Sequence, residues 1–158
     1  MGRQQINGTY TLQIPDRFEV LDEAELRAMY RNVGEPFGWG VRDRENHVTM
    51  VALWKKAPAL LAWMLDMKSL AKRNAELTAK AHEGYGYRFL DFISLQAGDE
   101  KAEGYRFSYE KDGITQVSNN LLVRDGKMIY SFILAGREEN AAQDRDLFLE
   151  IMRTLEYC

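Results

Sequence analysis

The chain holds a single cysteine among its 158 residues, and that one, Cys158, is the last. An internal disulfide is excluded, so the fold does not depend on an oxidising compartment. Cys158 also lacks the three following residues that a prenylation box needs, and it is expected in a frayed tail. There are three prolines, Pro15, Pro36 and Pro58, each where a segment should begin or end. The two histidines, His47 and His82, form no metal-ligand spacing with one another or with Cys158, so no metal site is expected. The net charge is only −3 and no long block of like charges occurs, which argues against a phosphate-dominated nucleic-acid binder. The longest apolar run, residues 57–65, is stopped by Asp66, far short of the roughly 20 residues that span a bilayer. Residues 1–7 are polar and lack the apolar segment of a signal peptide. The expectation is a cytoplasmic protein with no membrane span and no nucleic-acid partner.

Catalytic signatures are absent too. Gly38-Trp39-Gly40 and Gly84-Tyr85-Gly86 lack the third glycine of a dinucleotide loop. Gly126-Lys127 has Leu121 where a phosphate loop needs its first glycine. No Gly-x-Ser-x-Gly elbow occurs. Acidic pairs such as Asp43/Glu45, Asp99/Glu100 and Glu138/Glu139 sit at turns without calcium-loop spacing. His82, Asp91 and Ser94 form only a loose constellation. His82 is better read as a charge near a helix C-terminus, and His47 as a surface residue. The chain is therefore expected to be no enzyme and to carry no cofactor.

What is present is the composition of a globular protein, 46% hydrophobic and 28% charged, at a length typical of one domain spanning 1–158. Tyr10–Ile14 alternates as a short strand. Asp22 and Glu25 are spaced as a capping box, with Leu21 and Leu26 as its hydrophobic staple. Leu26, Met29, Tyr30 and Val33 then form one helical face. Residues 38–44 and 47–56 form two strands around a polar turn, the second apolar on both faces. Pro58 opens a helix to about Glu83, with Leu60, Trp63, Met67, Leu70, Leu77 and Ala81 as its stripe and Asn74 interrupting it. Four strands follow, about 87–97, 101–111, 114–124 and 127–136, joined by glycine-bearing turns at 98–99, 111–113 and 124–126. A last helix covers 141–155. Hairpins make the sheet mainly antiparallel, and strands apolar on both sides require helices on both faces. The fold class is α+β, a three-layer α/β/α sandwich with a sheet of about six to seven strands.

Two stretches carry a resemblance. Tyr10 to Phe18 is a strand running into Pro15 and an aromatic, and Phe148 to Leu155 is a closing helix. Together with the element order, they resemble the first strand and last helix of the Mog1/PsbP/DcrB-like sandwich superfamily. The resemblance implies a non-enzymatic role. Members bind a GTPase, support the oxygen-evolving photosystem or sit as lipoproteins at bacterial envelopes. No active-site signature accompanies it, so no functional residues are carried over.

The candidate interaction surface comprises Leu61, Trp63 and Leu65 on an all-round apolar helix start, with Trp39 and Tyr85 beside glycines. Asp91 and Arg106 lie within apolar strands. If buried they must be paired, either structurally or as polar groups of a pocket. The leading expectation is a protein-interaction or adaptor domain, with a protein partner or a second copy as a homodimer. The alternative is a small-molecule binding module with a tyrosine-lined pocket between sheet and helix.

Overall fold

The structure, a computed structural model, describes residues 2–29, 38–57 and 66–158. Its elements run β1 (Gly2–Ile6), β2 (Tyr10–Ile14), β3 (Glu19–Val20), α1 (Glu23–Met29), β4 (Gly38–Asp43) and β5 (Val48–Lys56). Then come α2 (Met67–Ala81), β6 (Arg88–Ala97), β7 (Glu100–Lys111), β8 (Ile114–Asp125) and β9 (Met128–Arg137). A 3₁₀ turn leads into α3 (Ala141–Arg153), and β10 (Glu156–Tyr157) closes the chain.

Local chemistry accounts for the connections. Asp22 accepts from the Glu25 amide at 2.8 Å, and Glu25 reaches back to the Asp22 amide at 3.4 Å, the reciprocal cap that starts α1. Asp66 caps α2 by accepting from the Ser69 amide at 2.7 Å. Lys111 pairs directly with Ile114, so Asp112-Gly113 is a two-residue hairpin loop. Both of its residues have positive φ, which suits Asp-Gly.

Seven strands form one sheet in the order β3-β4-β5-β9-β8-β7-β6, with every neighbouring pair antiparallel. A small sheet, β1-β2-β10, packs with α3 on one face. Between these lies the main core, which includes Leu12, Met50, Tyr130, Phe132, Phe148 and Ile151. Helices α1 and α2 lie on the other face, α1 on β4 and α2 on β7 and β8. The α+β sandwich with a mainly antiparallel sheet is the architecture expected from the hairpin pattern.

Several details differ from expectation. The polar N-terminus is a strand, because β1 pairs with β2 across five residue pairs. The C-terminus is held rather than frayed: β10 pairs with β2, and the Cys158 amide donates to the Thr9 carbonyl at 2.7 Å. Asp43, expected in a solvated turn, is buried, with Asn46 and Arg17 donating to its carboxylate. The inward face of α2 is Ala71 and Ala75, while Leu77 of the expected stripe is 58% exposed. Small residues let the helix lie close to the sheet, so that Asn74 and Thr78 reach it. Leu60, Trp63, Tyr30 and Val33, and the helix start at 58–65, lie outside the described residues.

Candidate functional site

Because α1 and α2 cover separate parts of their sheet face, a trough of about 490 Å³ remains between them. Successive side chains of a strand point to opposite faces. Phe107 and Tyr109 of β7, Leu122 of β8, and Ile129 and Ile133 of β9 therefore turn together into the trough. Ser118, Asn120 and Ser131 lie among them. Asn74 and Thr78 of α2, with His82 at its C-terminal cap, form one wall, and Met29 at the end of α1 contributes to the other.

The wall and floor are tied by a closed set of hydrogen bonds. The Thr78 hydroxyl donates its one hydrogen to the Asn74 carbonyl at 2.9 Å. The Tyr105 hydroxyl, 2.8 Å from Thr78 Oγ1, must then be the donor in that contact. Asn74 Nδ2 donates to the Tyr105 hydroxyl oxygen at 2.7 Å, which completes the ring. Burial raises the Tyr105 phenol, with the bonds to Thr78 and Asn74 acting the other way. Burial also raises Tyr109. Both phenols therefore stay neutral at physiological pH. His82 contacts the Thr78 carbonyl through Nδ1 at 2.8 Å; a carbonyl only accepts, so Nδ1 carries the hydrogen. Its ring meets Phe107 and Tyr109 edge-on, with centroids 5.1 and 5.0 Å away.

Asn120 is the polar group best placed to meet a guest. It is 5% exposed. Its Nδ2 donates to Ser118 Oγ at 3.1 Å and to the Tyr105 carbonyl at 3.4 Å. Its carbonyl oxygen accepts from no described group. Among the described residues, the lining carries full charge only at Lys55 and Lys111. Among the described residues, no group of three or more His, Cys, Asp or Glu could hold a metal. A larger concavity, about 560 Å³, lies at the small sheet beside Arg3, Gln5, Glu156 and Tyr157. Its Arg3–Glu156 pair, at 3.5 Å, joins two exposed side chains, so it has no comparable dry floor.

The residues singled out from the sequence are scattered. Asp91 and Arg106 do pair, at 3.0 Å, with Arg106 mostly buried. The contact is too poorly aligned for a hydrogen bond, since both facing atoms lack a hydrogen-bond partner. Arg106 follows Tyr105 on β7 and so points to the α3 side: the pair is structural and does not line the trough. Trp39 lies in β4 and packs against the main core. Tyr85 is exposed in the loop before β6, at the other side of the sheet. Leu61, Trp63 and Leu65 lie outside the described residues. Sequence reasoning missed Asn74, Thr78 and Asn120. Their signal was polarity in apolar surroundings: Asn74 breaks a helical stripe, and Asn119-Asn120 interrupts a strand.

No protein-family model and no curated protein matches the chain. Solved structures do. Cyanobacterial PsbP from Synechocystis sp. PCC 6803 superposes with a TM-score of 0.67 at 11% identity, covering 99% of this chain and 92% of that one. The fold is of the Mog1/PsbP type. A Mog1 variant aligns at TM-score 0.59 and 14% identity, over 99% of this chain and 96% of its own. LpqN of Mycobacterium tuberculosis, described as involved in cell envelope biogenesis, aligns at 0.62 and 16%, over 94% and 82%. Identities this low establish the Mog1/PsbP fold and nothing about activity. No helix among the described residues is long and apolar enough to cross a membrane.

Proposed function

We propose that this chain is a non-enzymatic binding domain whose trough holds a small, uncharged organic ligand. The observation that carries this reading is an apolar concavity with a closed hydrogen-bond ring in its wall and, on its floor, an amide oxygen for which no described group is a donor. Its volume lies within the roughly 300–1,000 Å³ of small-molecule sites, and such sites pair an apolar lining with a few fixed polar groups. A flat, apolar body suits Phe107, Leu122 and Ile129. A hydroxyl or N–H group on it would donate to the Asn120 carbonyl. A charged guest is disfavoured in the middle of the floor, because the described charges of the lining, Lys55 and Lys111, are exposed near the strand ends and would not repay its desolvation there.

A thermal-shift screen of neutral aromatic and heteroaromatic compounds tests this. Ligands should raise the melting temperature of the wild type, and the rise should vanish in Asn120→Leu. A screen without stabilising compounds, or stabilisation unchanged in that variant, would overturn the reading. A protein-interaction role rests on a separate observation: Tyr85, Phe89, Leu90 and Phe92 are all exposed at or near one sheet edge.

A further inference from the structure

The two edges of the seven-strand sheet are unequal. One, β3, is two residues long. The other, β6, runs for ten residues, and no described main-chain group bonds to its outer side. A long bare edge is a template for another strand, and chains guard such edges with short strands, prolines, bulges or charges. β6 has a register irregularity between Phe89 and Asp91 at its beginning. From Phe92 to Ala97 it carries neither charge nor proline. Its surroundings are apolar and open to solvent. Phe89 is 40% exposed, Leu90 38% and Phe92 53%, and the two phenylalanine rings stand 4.8 Å apart. The strand's internal charge, Asp91, is paired with Arg106 of β7 in the same sheet at 3.0 Å, and Arg88 at the start and Asp99 in the turn beyond mark the two ends.

We propose that β6 pairs with β6 of a second copy of this chain, antiparallel about a twofold axis near Phe92 and Ile93. Two seven-strand sheets thereby become one. Antiparallel order about that axis brings Arg88 of each copy beside the turn that holds Asp99 of the other, so opposite charges meet at both ends. Parallel order would set Arg88 against Arg88. Near the axis the strand's one internal charge, Asp91, is held by Arg106 of its own copy, and Phe92 lies beside it. An aromatic side chain can bury about 150–250 Å², so the half-exposed rings supply roughly 200 Å² per copy. The ten-residue main-chain edge and its flanking side chains supply the rest of the roughly 800 Å² per partner in a standard dimer. The edge at β3 is too short to receive β6, so the contact closes at two copies instead of propagating.

Sedimentation equilibrium over a concentration series, with circular dichroism as the folding control, tests the proposal. The wild type should be a dimer. Phe92→Lys puts a charge beside the axis on an exposed position and should raise the dissociation constant at least about a hundredfold. Arg88→Asp should weaken the dimer about tenfold, and the exchanged pair Arg88→Asp with Asp99→Arg should restore it. The exchange keeps the test decisive even if Phe92→Lys misfolds. A wild type that stays monomeric throughout would overturn the proposal, as would a dimer indifferent to all three variants.

Discussion

The two faces of the central sheet are built to different ends, and β9 shows both at once. Tyr130, Phe132 and Leu134 point toward α3 and are almost completely buried. Between them, Ile129, Ser131, Ile133 and Ala135 point the other way, and all four line the trough. Among the described residues, the α3 side holds one continuous core of twenty buried residues, whereas those buried on the other face fall into three small clusters. The sealed face supplies most of the burial that stabilises a domain, roughly 25 cal/mol per Å² of apolar surface. That leaves the other face free to remain open and to carry polar groups.

This comparison is broken or upheld most directly by truncating neighbours on one strand. Phe132→Ala should destabilise by about 3–5 kcal/mol, because the cavity it leaves in the sealed face cannot collapse. Ile133→Ala, one residue along and facing the trough, should cost only about 1 kcal/mol, since water already reaches the site. Urea unfolding of the two variants measures the difference. Equal losses would mean that the faces are not divided as described.

A buried acid at the rim of the sealed face gives a smaller and pH-dependent test. Asp144 of α3 packs its carboxylate against Gly136 of β9, where any Cβ would collide with it. Burial, and then the charge of Asp43, push Asp144 up to about 6, with Arg17 acting the other way. Asp43 itself goes down: burial alone would raise it, but hydrogen bonds from Asn46 and Arg17 outweigh that. For Asp144 the folded state binds the proton more tightly than the unfolded chain. Its contribution is therefore present at low pH and is lost as pH rises through the window from about 4 to about 6. Two units correspond to about 2–3 kcal/mol. Asp144→Asn should remove that slope and leave the variant more stable than wild type at pH 7. The Asp43 contribution has the opposite sign and disappears only as pH falls below the ordinary carboxylate range. Stability curves of both proteins from pH 4 to 8 decide it, and parallel curves would exclude the assignment.

What was legible is local. Alternation in Tyr130, Phe132 and Leu134 on the sealed face, the glycine turns, and the capping box at Asp22 that starts α1 on the open face each appear in the structure where those patterns place them. The trough depends on contacts between residues far apart in the chain. Asn74 meets Tyr105 across 31 positions, and no window of sequence contains both. The same holds for Asp43, whose guanidinium partner Arg17 lies 26 residues away. Short strands such as β1 and β10 carry too little pattern to reveal that they share β2. Asp91 and Arg106 stood out as charges within apolar strands, but their face follows from strand register, and a shift of one residue reverses it.

The smallest predicted effect bears on the open face alone. Tyr105→Phe keeps the ring in contact with Ala75 and Phe107 but deletes the hydroxyl that donates to Thr78 and accepts from Asn74. Both α2 side chains then lose a partner at a half-buried position. A net hydrogen bond is worth about 1 kcal/mol, and water from the trough can replace part of it. The loss should therefore be about 1 kcal/mol, well below that of Phe132→Ala. A core tyrosine on the sealed face would have no such solvent to recruit. If the trough is the binding site, Tyr105→Phe should weaken any ligand found there by more than it weakens folding, because the ring of bonds holds the wall of α2 in place. Calorimetric titration beside urea unfolding separates the two effects. Equal losses in binding and in folding would reduce the network to a structural tie between helix and sheet.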